Sequence, residues 1–109
     1  MTEKNDLILF QECCQKWIDR FGLTDWDFRT VINDDEDNGN VLLNHDGRKA
    51  YIALCRKREP EVSIEQIAKH EVLEILFADI SILMKVYYSE ELISDEIHKV
   101  INRLMVVLK

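Results

Sequence analysis

The stretch "IAKHEVLEILFADI", residues 67–80, decides how this chain is read. With Ile64 just upstream, Ala68, Val72, Leu73, Leu76, Phe77 and Ile80 recur at helical spacing and cover a wide arc, so the segment reads as a central helix buried from several directions. Ser63, followed three residues later by Gln66, supplies the capping box that starts it. Set into this apolar helix are His70, Glu71 and Glu74, and polar groups in such surroundings are costly unless paired or coordinated. A helix stacks positions i and i+4 on one face, so His70 and Glu74 can hold one metal ion while Glu71, next along the turn, points at a water molecule beside it.

Working outward, 109 residues make one domain, residues 1–109, with a single core and no room for an appended module. From Asp6 to Phe21, the residues Leu7, Phe10, Cys14, Trp17, Ile18 and Phe21 mark a helix with one buried face, and Gly22 supplies its stop. "WDFRTVI" (26–32) alternates as a half-buried strand does. "NVLLN" (40–44) and "KAYIALC" (49–55) are β-prone runs separated by "HDGR", whose Asp46-Gly47 pair is a tight-turn signal. The acidic run between the first two strands, Asp34, Asp35, Glu36 and Asp37, lacks the alternating ligand positions and distal Glu of a calcium loop, and reads as a solvated hairpin loop. A three-stranded meander is the simplest assembly. Pro60 closes the sheet region. Past a break near Tyr88, Ser89 caps a last helix, on which Ile93, Ile97, Val100, Ile101, Leu104 and Leu108 line one face. The expected fold class is therefore α+β: an N-terminal helix, a small, mostly antiparallel three-stranded sheet, the central helix and a C-terminal helix.

Composition narrows the partners. Hydrophobic residues at 47% and charged residues at 32% are those of an ordinary globular protein, and no apolar run approaches the ~20 residues that cross a bilayer. A net charge of −7 opposes binding to phosphate backbones, and the one basic cluster, Arg56 to Arg58, reads as a solvated strand end. Neither nucleic acid nor membrane is an expected partner. The N-terminus carries no signal-type apolar core, and Cys13, Cys14 and Cys55 suit reduced thiols better than a disulfide framework, so the expected location is cytoplasmic. Cys14 and Cys55 read as core, Cys13 as partly exposed.

A metal held by His70 and Glu74 needs a third ligand from another segment. Carboxylate oxygen binds zinc at ~2.0 to 2.2 Å, close to the reach of imidazole nitrogen, so Glu74 can stand in a ligand position. On the last helix, His98 and Glu96 flank the apolar stripe on opposite sides, and geometry alone does not choose between them. Asp95 lies too far round. His45, beside the Asp46-Gly47 turn, reads as a loop histidine, and no Tyr or His can be assigned to stabilise an oxyanion, although Tyr87 and Tyr88 lie near in sequence.

The string His70-Glu71-Val72-Leu73-Glu74 is one letter from the His-Glu-x-x-His of zinc peptidases. The order of elements, with "AKHEVLEILFADI" on one helix and "DEIHKVINRL" on the last, resembles the small single-domain zincin-like proteins, related in design to the minigluzincins and often encoded by phages or prophages. The likeness covers most of the chain and departs from the family pattern at Glu74. In that family the last helix carries an acidic residue or a histidine just before a Val-x-x-x-Leu pattern, the place of His98. The resemblance implies one zinc ion per chain held by His70, Glu74 and His98, with Glu96 as the alternative third ligand and Glu71 as general base. It also implies a peptide or protein substrate, laid along an edge strand for which "KAYIALC" is the candidate. The usual two histidines and one carboxylate would be kept, with the carboxylate moved from the later helix to the earlier one. The other expectation is a zincin-fold protein that has lost catalysis and serves as a binding or structural partner.

Overall fold

A computed structural model describes residues 2–109 and orders them as α1 (Thr2–Arg20), β1 (Asp27–Asn33), β2 (Gly39–Asn44), β3 (Lys49–Cys55), α2 (Ile64–Leu76), α3 (Ala78–Met84) and α4 (Glu90–Val107). The class is α+β, and the helices outnumber those expected by one. Local chemistry explains the boundaries. Gly22 takes a left-handed φ of +68° just past α1, which a residue without Cβ adopts without strain. Ser63 Oγ accepts from the Gln66 amide while the Gln66 side chain accepts from the Ser63 amide, completing the capping box of α2. Ser89 Oγ accepts from the Leu92 amide at the start of α4. At Phe77 the chain turns out of α2 and begins α3, with neither glycine nor proline to mark the break.

The sheet departs from the meander. Its order is β1-β3-β2, with β3 antiparallel to β2 but parallel to β1, so the sheet is mixed and β3 is central. Residues 34–38 are therefore not a hairpin loop; they cross the end of β3 to reach the far edge. The Cys55 amide donates to Asn38 O and the Arg56 amide to Asn33 O, so the end of β3 is bonded to both sides of the crossing. Charge fastens it: Arg56 pairs with Asp34 at 3.0 Å and Lys57 with Glu36 at 2.7 Å, while Arg58 reaches Asp6 of α1 at 2.9 Å. The basic cluster read as a solvated strand end is thus paired residue by residue with acids. The turn between β2 and β3 also differs: four residues, 45–48, span it, and Arg48 rather than Gly47 takes the positive φ, 54°.

One face of the sheet carries the core. Phe10, Cys14, Trp17 and Ile18 of α1, Ile52 and Leu54 of β3, and Ala68, Val72 and Ile75 of α2 are buried together, each large side chain contributing roughly 1.5–3 kcal/mol by leaving water. The three cysteines are free, Cys14 and Cys55 buried and Cys13 partly so. Gly39 lets β2 approach α2: a Cβ there would lie 2.6 Å from Ile67 Cγ2 and 2.9 Å from the Ala53 carbonyl oxygen. At the other end of the domain, α4 has no basic residue in its last turn, and its carbonyls are capped from outside. Lys69 Nζ of α2 donates to Met105 O at 3.2 Å and Leu108 O at 2.6 Å, which fixes α4 across α2. No helix among the described residues is long and apolar enough to cross a membrane.

Candidate metal centre

The crossing of α4 over α2 brings three candidate side chains to one point. His70 and Glu74 stand one turn apart on α2, and His98 approaches from α4. Glu74 bridges the two imidazoles, its Oε2 3.5 Å from His70 Nε2 and its Oε1 3.7 Å from His98 Nε2. The ring centroids of His70 and His98 are 5.8 Å apart, and one donor atom from each of the three residues lies within 4.8 Å of the others. Donors ~2.0–2.1 Å from a tetrahedral ion are separated from one another by roughly 3.3–3.4 Å, so small side-chain adjustments would close these three around zinc.

The surroundings suit a cation. His98 Nδ1 lies 2.8 Å from the Ser94 carbonyl oxygen, which can only accept; Nδ1 therefore carries a proton, and Nε2 is the nitrogen that faces Glu74. A backbone carbonyl fixing the tautomer in this way is the usual outer partner of a histidine ligand. Burial lowers the His70 pKa below the ordinary histidine value, and the carboxylates of Glu74 and Asp37 offset part of that shift. A lowered pKa keeps the ring unprotonated and able to bind metal.

Glu71 is the buried charged residue of the core, 4% exposed, and among the described residues its Oε1 is the buried side-chain oxygen without a hydrogen-bond partner. Burial, then repulsion from Glu74 and Asp37, raises its pKa well above the carboxylate range. Three carboxylates thus crowd one place with two neutral-capable imidazoles. A divalent cation would relieve that crowding, so the residues present fit the metal on chemistry as well as spacing.

A cleft runs on both sides of the cluster. One lobe, about 380 Å³, is lined by Val41 and Leu43 of β2, Glu74, and Ile93, Ile97 and His98 of α4. The other, about 270 Å³, is lined by Asp37, Asn38, His70, Glu71 and Met105. The larger lobe borders β2, one of the two edge strands, and the smaller borders residues 37 and 38 just before it, whereas "KAYIALC" is the central strand and cannot accept an added strand. The expectation that β3 is an edge strand is thus corrected.

The remaining candidates lie elsewhere. Glu96 is exposed and pairs with Lys99 at 2.9 Å on the outer side of α4. His45 lines the larger lobe but is bonded through Nε2 to Asp79 Oδ1 at 2.6 Å. Tyr87 and Tyr88 are exposed and line neither lobe. Two participants escaped the sequence reading. Ser94 carried a signal, its position four residues before His98; Asp37 carried none, because it reaches the cluster only through the crossing of 34–38 over β3.

Comparisons of the chain with protein-family models, with curated proteins and with solved structures found no match.

Proposed function

We propose that this protein is a zinc-dependent hydrolase of the peptidase type. The observation that carries the reading is the convergence of His70, Glu74 and His98 on one point, with the carboxyl of Glu71 buried beside them. His70, Glu74 and His98 would hold the ion. A bound zinc ion supplies Lewis acidity, which activates water and polarises a carbonyl group. The rest falls to the chain. Glu71 is the general base: without metal, burial pushes its pKa up to about 9, and the positive charge of a bound ion would bring it down to where a carboxylate can take a proton from water and pass it to a leaving amine. From the sheet side Gly39 comes close to its side chain, where a Cβ would lie 3.3 Å from Glu71 Cγ. The free edge of β2 offers main-chain donors and acceptors to an extended peptide, and the two lobes of the cleft take side chains on either side of the scissile bond.

The test is metal content by elemental analysis of protein purified without chelator or His-tag, together with peptide hydrolysis. One equivalent of zinc is expected, lost in His70→Ala and retained in Glu71→Gln, with turnover in Glu71→Gln reduced about 10²–10⁴-fold. Absence of metal after zinc is added back would overturn the proposal. Zinc binding without any turnover that Glu71→Gln abolishes would leave a binding protein built on the same scaffold.

A further inference from the structure

We infer that the smaller lobe of the cleft takes a basic side chain of a peptide substrate, lysine or arginine, and that Asp37 selects it. The inference rests on the peptidase reading for what the ligand is; the contact itself needs neither metal nor turnover. Asp37 belongs to an acidic run whose other members are occupied. Asp34 pairs with Arg56 at 3.0 Å and Glu36 with Lys57 at 2.7 Å, while Asp35 Oδ2 accepts from the side-chain amides of Asn33 and Asn40 at 3.1 and 2.8 Å. Asp37 is exposed, and its Oδ1 accepts a local bond of 2.8 Å from the Asn38 amide. Among the described residues it has no ion-pair partner. Its charge nevertheless reaches the site, where it raises the proton affinity of His70 and Glu71 in the same lobe.

The lobe, about 270 Å³, joins that charge to apolar walls, because Val62, Ile67 and Met105 line it beside Asp37 and Glu71. Glu71 adds a buried oxygen without a partner. Lysine and arginine match both features: their methylene stems lie along apolar surface while the charged head stays near water and meets a carboxylate. A leucine would cover the walls and leave Asp37 unanswered, and a glutamate would be repelled by it. A bound divalent ion does not consume this charge, since the carboxylates of Glu74 and Glu71 balance the ion and Asp37 remains. The larger lobe offers no such excess away from the metal ligands, because its Lys85 and Glu90 pair with each other at 3.2 Å.

The test is binding of the N-acetyl, N-methylamide forms of lysine, arginine, norleucine and glutamate to the full chain, with and without added zinc, followed by NMR titration. Norleucine carries the lysine stem without its charge. The lysine and arginine probes should bind about 5-fold or more tightly than the norleucine probe, the worth of one well-placed, partly exposed ion pair, and the glutamate probe should bind weakest. Asp37→Asn keeps the oxygen that accepts from the Asn38 amide and should bring the preference to within about 2-fold. Asp37→Lys should turn it toward glutamate. Asp46→Asn, which removes an acid from the turn between β2 and β3 and outside the lobe, should change nothing. A chain that binds the basic probes in this way yet never hydrolyses a peptide would sustain the contact and remove the peptidase reading; hydrolysis indifferent to substrate charge would do the reverse. Equal affinity for lysine and norleucine, no binding of any probe, or a preference that survives Asp37→Asn would each overturn the inference.

Discussion

Gly39→Ala should destabilise the protein and disturb the site at once. The added methyl would lie 2.6 Å from Ile67 Cγ2, 2.9 Å from the Ala53 carbonyl oxygen and 3.3 Å from Glu71 Cγ. Comfortable carbon contacts lie near 3.5–4.0 Å, so all three neighbours are too close. Ile67 is 2% exposed in the core, and the Ala53 oxygen belongs to the central strand, so neither has free room to retreat. Overpacking of this kind costs about 1–3 kcal/mol. A domain near 100 residues loses about 4–8 °C of Tm per kcal/mol, which sets the expected fall at roughly 5–20 °C. The assay is thermal unfolding of metal-free protein followed by circular dichroism, for Gly39→Ala, Ile67→Ala and the double variant. Ile67→Ala alone opens a cavity and should cost about 2–5 kcal/mol. Because it removes the Cγ2 that the new methyl meets, the double variant should lose less than the two single losses added, by about 1 kcal/mol or more. A Tm for Gly39→Ala within about a degree of wild type, or strict additivity in the double variant, would refute the reasoning.

Three further outcomes are expected. His98→Ala should abolish stoichiometric zinc, and wild-type zinc affinity should rise with pH because both imidazoles must shed protons to bind; the lowered pKa of His70 places its share of that dependence below the ordinary histidine range, which zinc titrations across acidic to neutral pH will show. Arg48→Ala removes the partner that, with His45, holds Asp79 below its usual 3.8, and a depressed carboxylate contributes stability above its unfolded pKa that is lost as pH falls through the folded one. The Tm gap between wild type and Arg48→Ala should accordingly shrink between about pH 6 and about pH 3, and a constant gap would rule this out. Ser63→Ala should cost about 1 kcal/mol in thermal unfolding, because the first turn of α2 loses its reciprocal cap.

Local chemistry was legible in the sequence wherever a residue acts on its own neighbours. Ser63 with Gln66, Ser89, and Gly22 each act within four residues, and each marks a helix boundary in the structure. Strand order is a different kind of fact. The "HDGR" turn says that β2 and β3 are neighbours, but nothing local says on which side β1 lies. The answer is written in a complementarity between distant runs, Asp34 and Glu36 against Arg56 and Lys57, which has meaning only once the acidic run crosses the end of β3. The turn itself shows the limit of a dipeptide rule: with four residues to span, the left-handed position falls one place after Gly47, and Arg48 occupies it, held by Asp25 and Asp79 and stacked 4.2 Å from the Trp26 ring.

The candidate site follows the same division. That His70 and Glu74 share a face is local arithmetic, and one helix suffices to show it. That His98 and not Glu96 joins them depends on how α4 is rotated over α2, which periodicity left open because both residues flank the apolar stripe. Burial of Ile93 and Ile101 turns the side bearing Ser94 and His98 toward α2, and Lys69 pins the end of α4 against the same helix. The result is two imidazoles and one carboxylate, with the carboxylate on the earlier helix. For a divalent ion the net charge of that set is the same whichever helix supplies which group, so exchanging Glu and His between α2 and α4 leaves the electrostatic demand on the cluster unaltered. The exchange does change what stands beside the base: Glu74 is a carboxylate next to Glu71, where a histidine would be neutral, and its repulsion adds to burial in raising the proton affinity of Glu71. Glu74→His should therefore lower the Glu71 pKa, and the acidic limb of any turnover profile should move to lower pH with it.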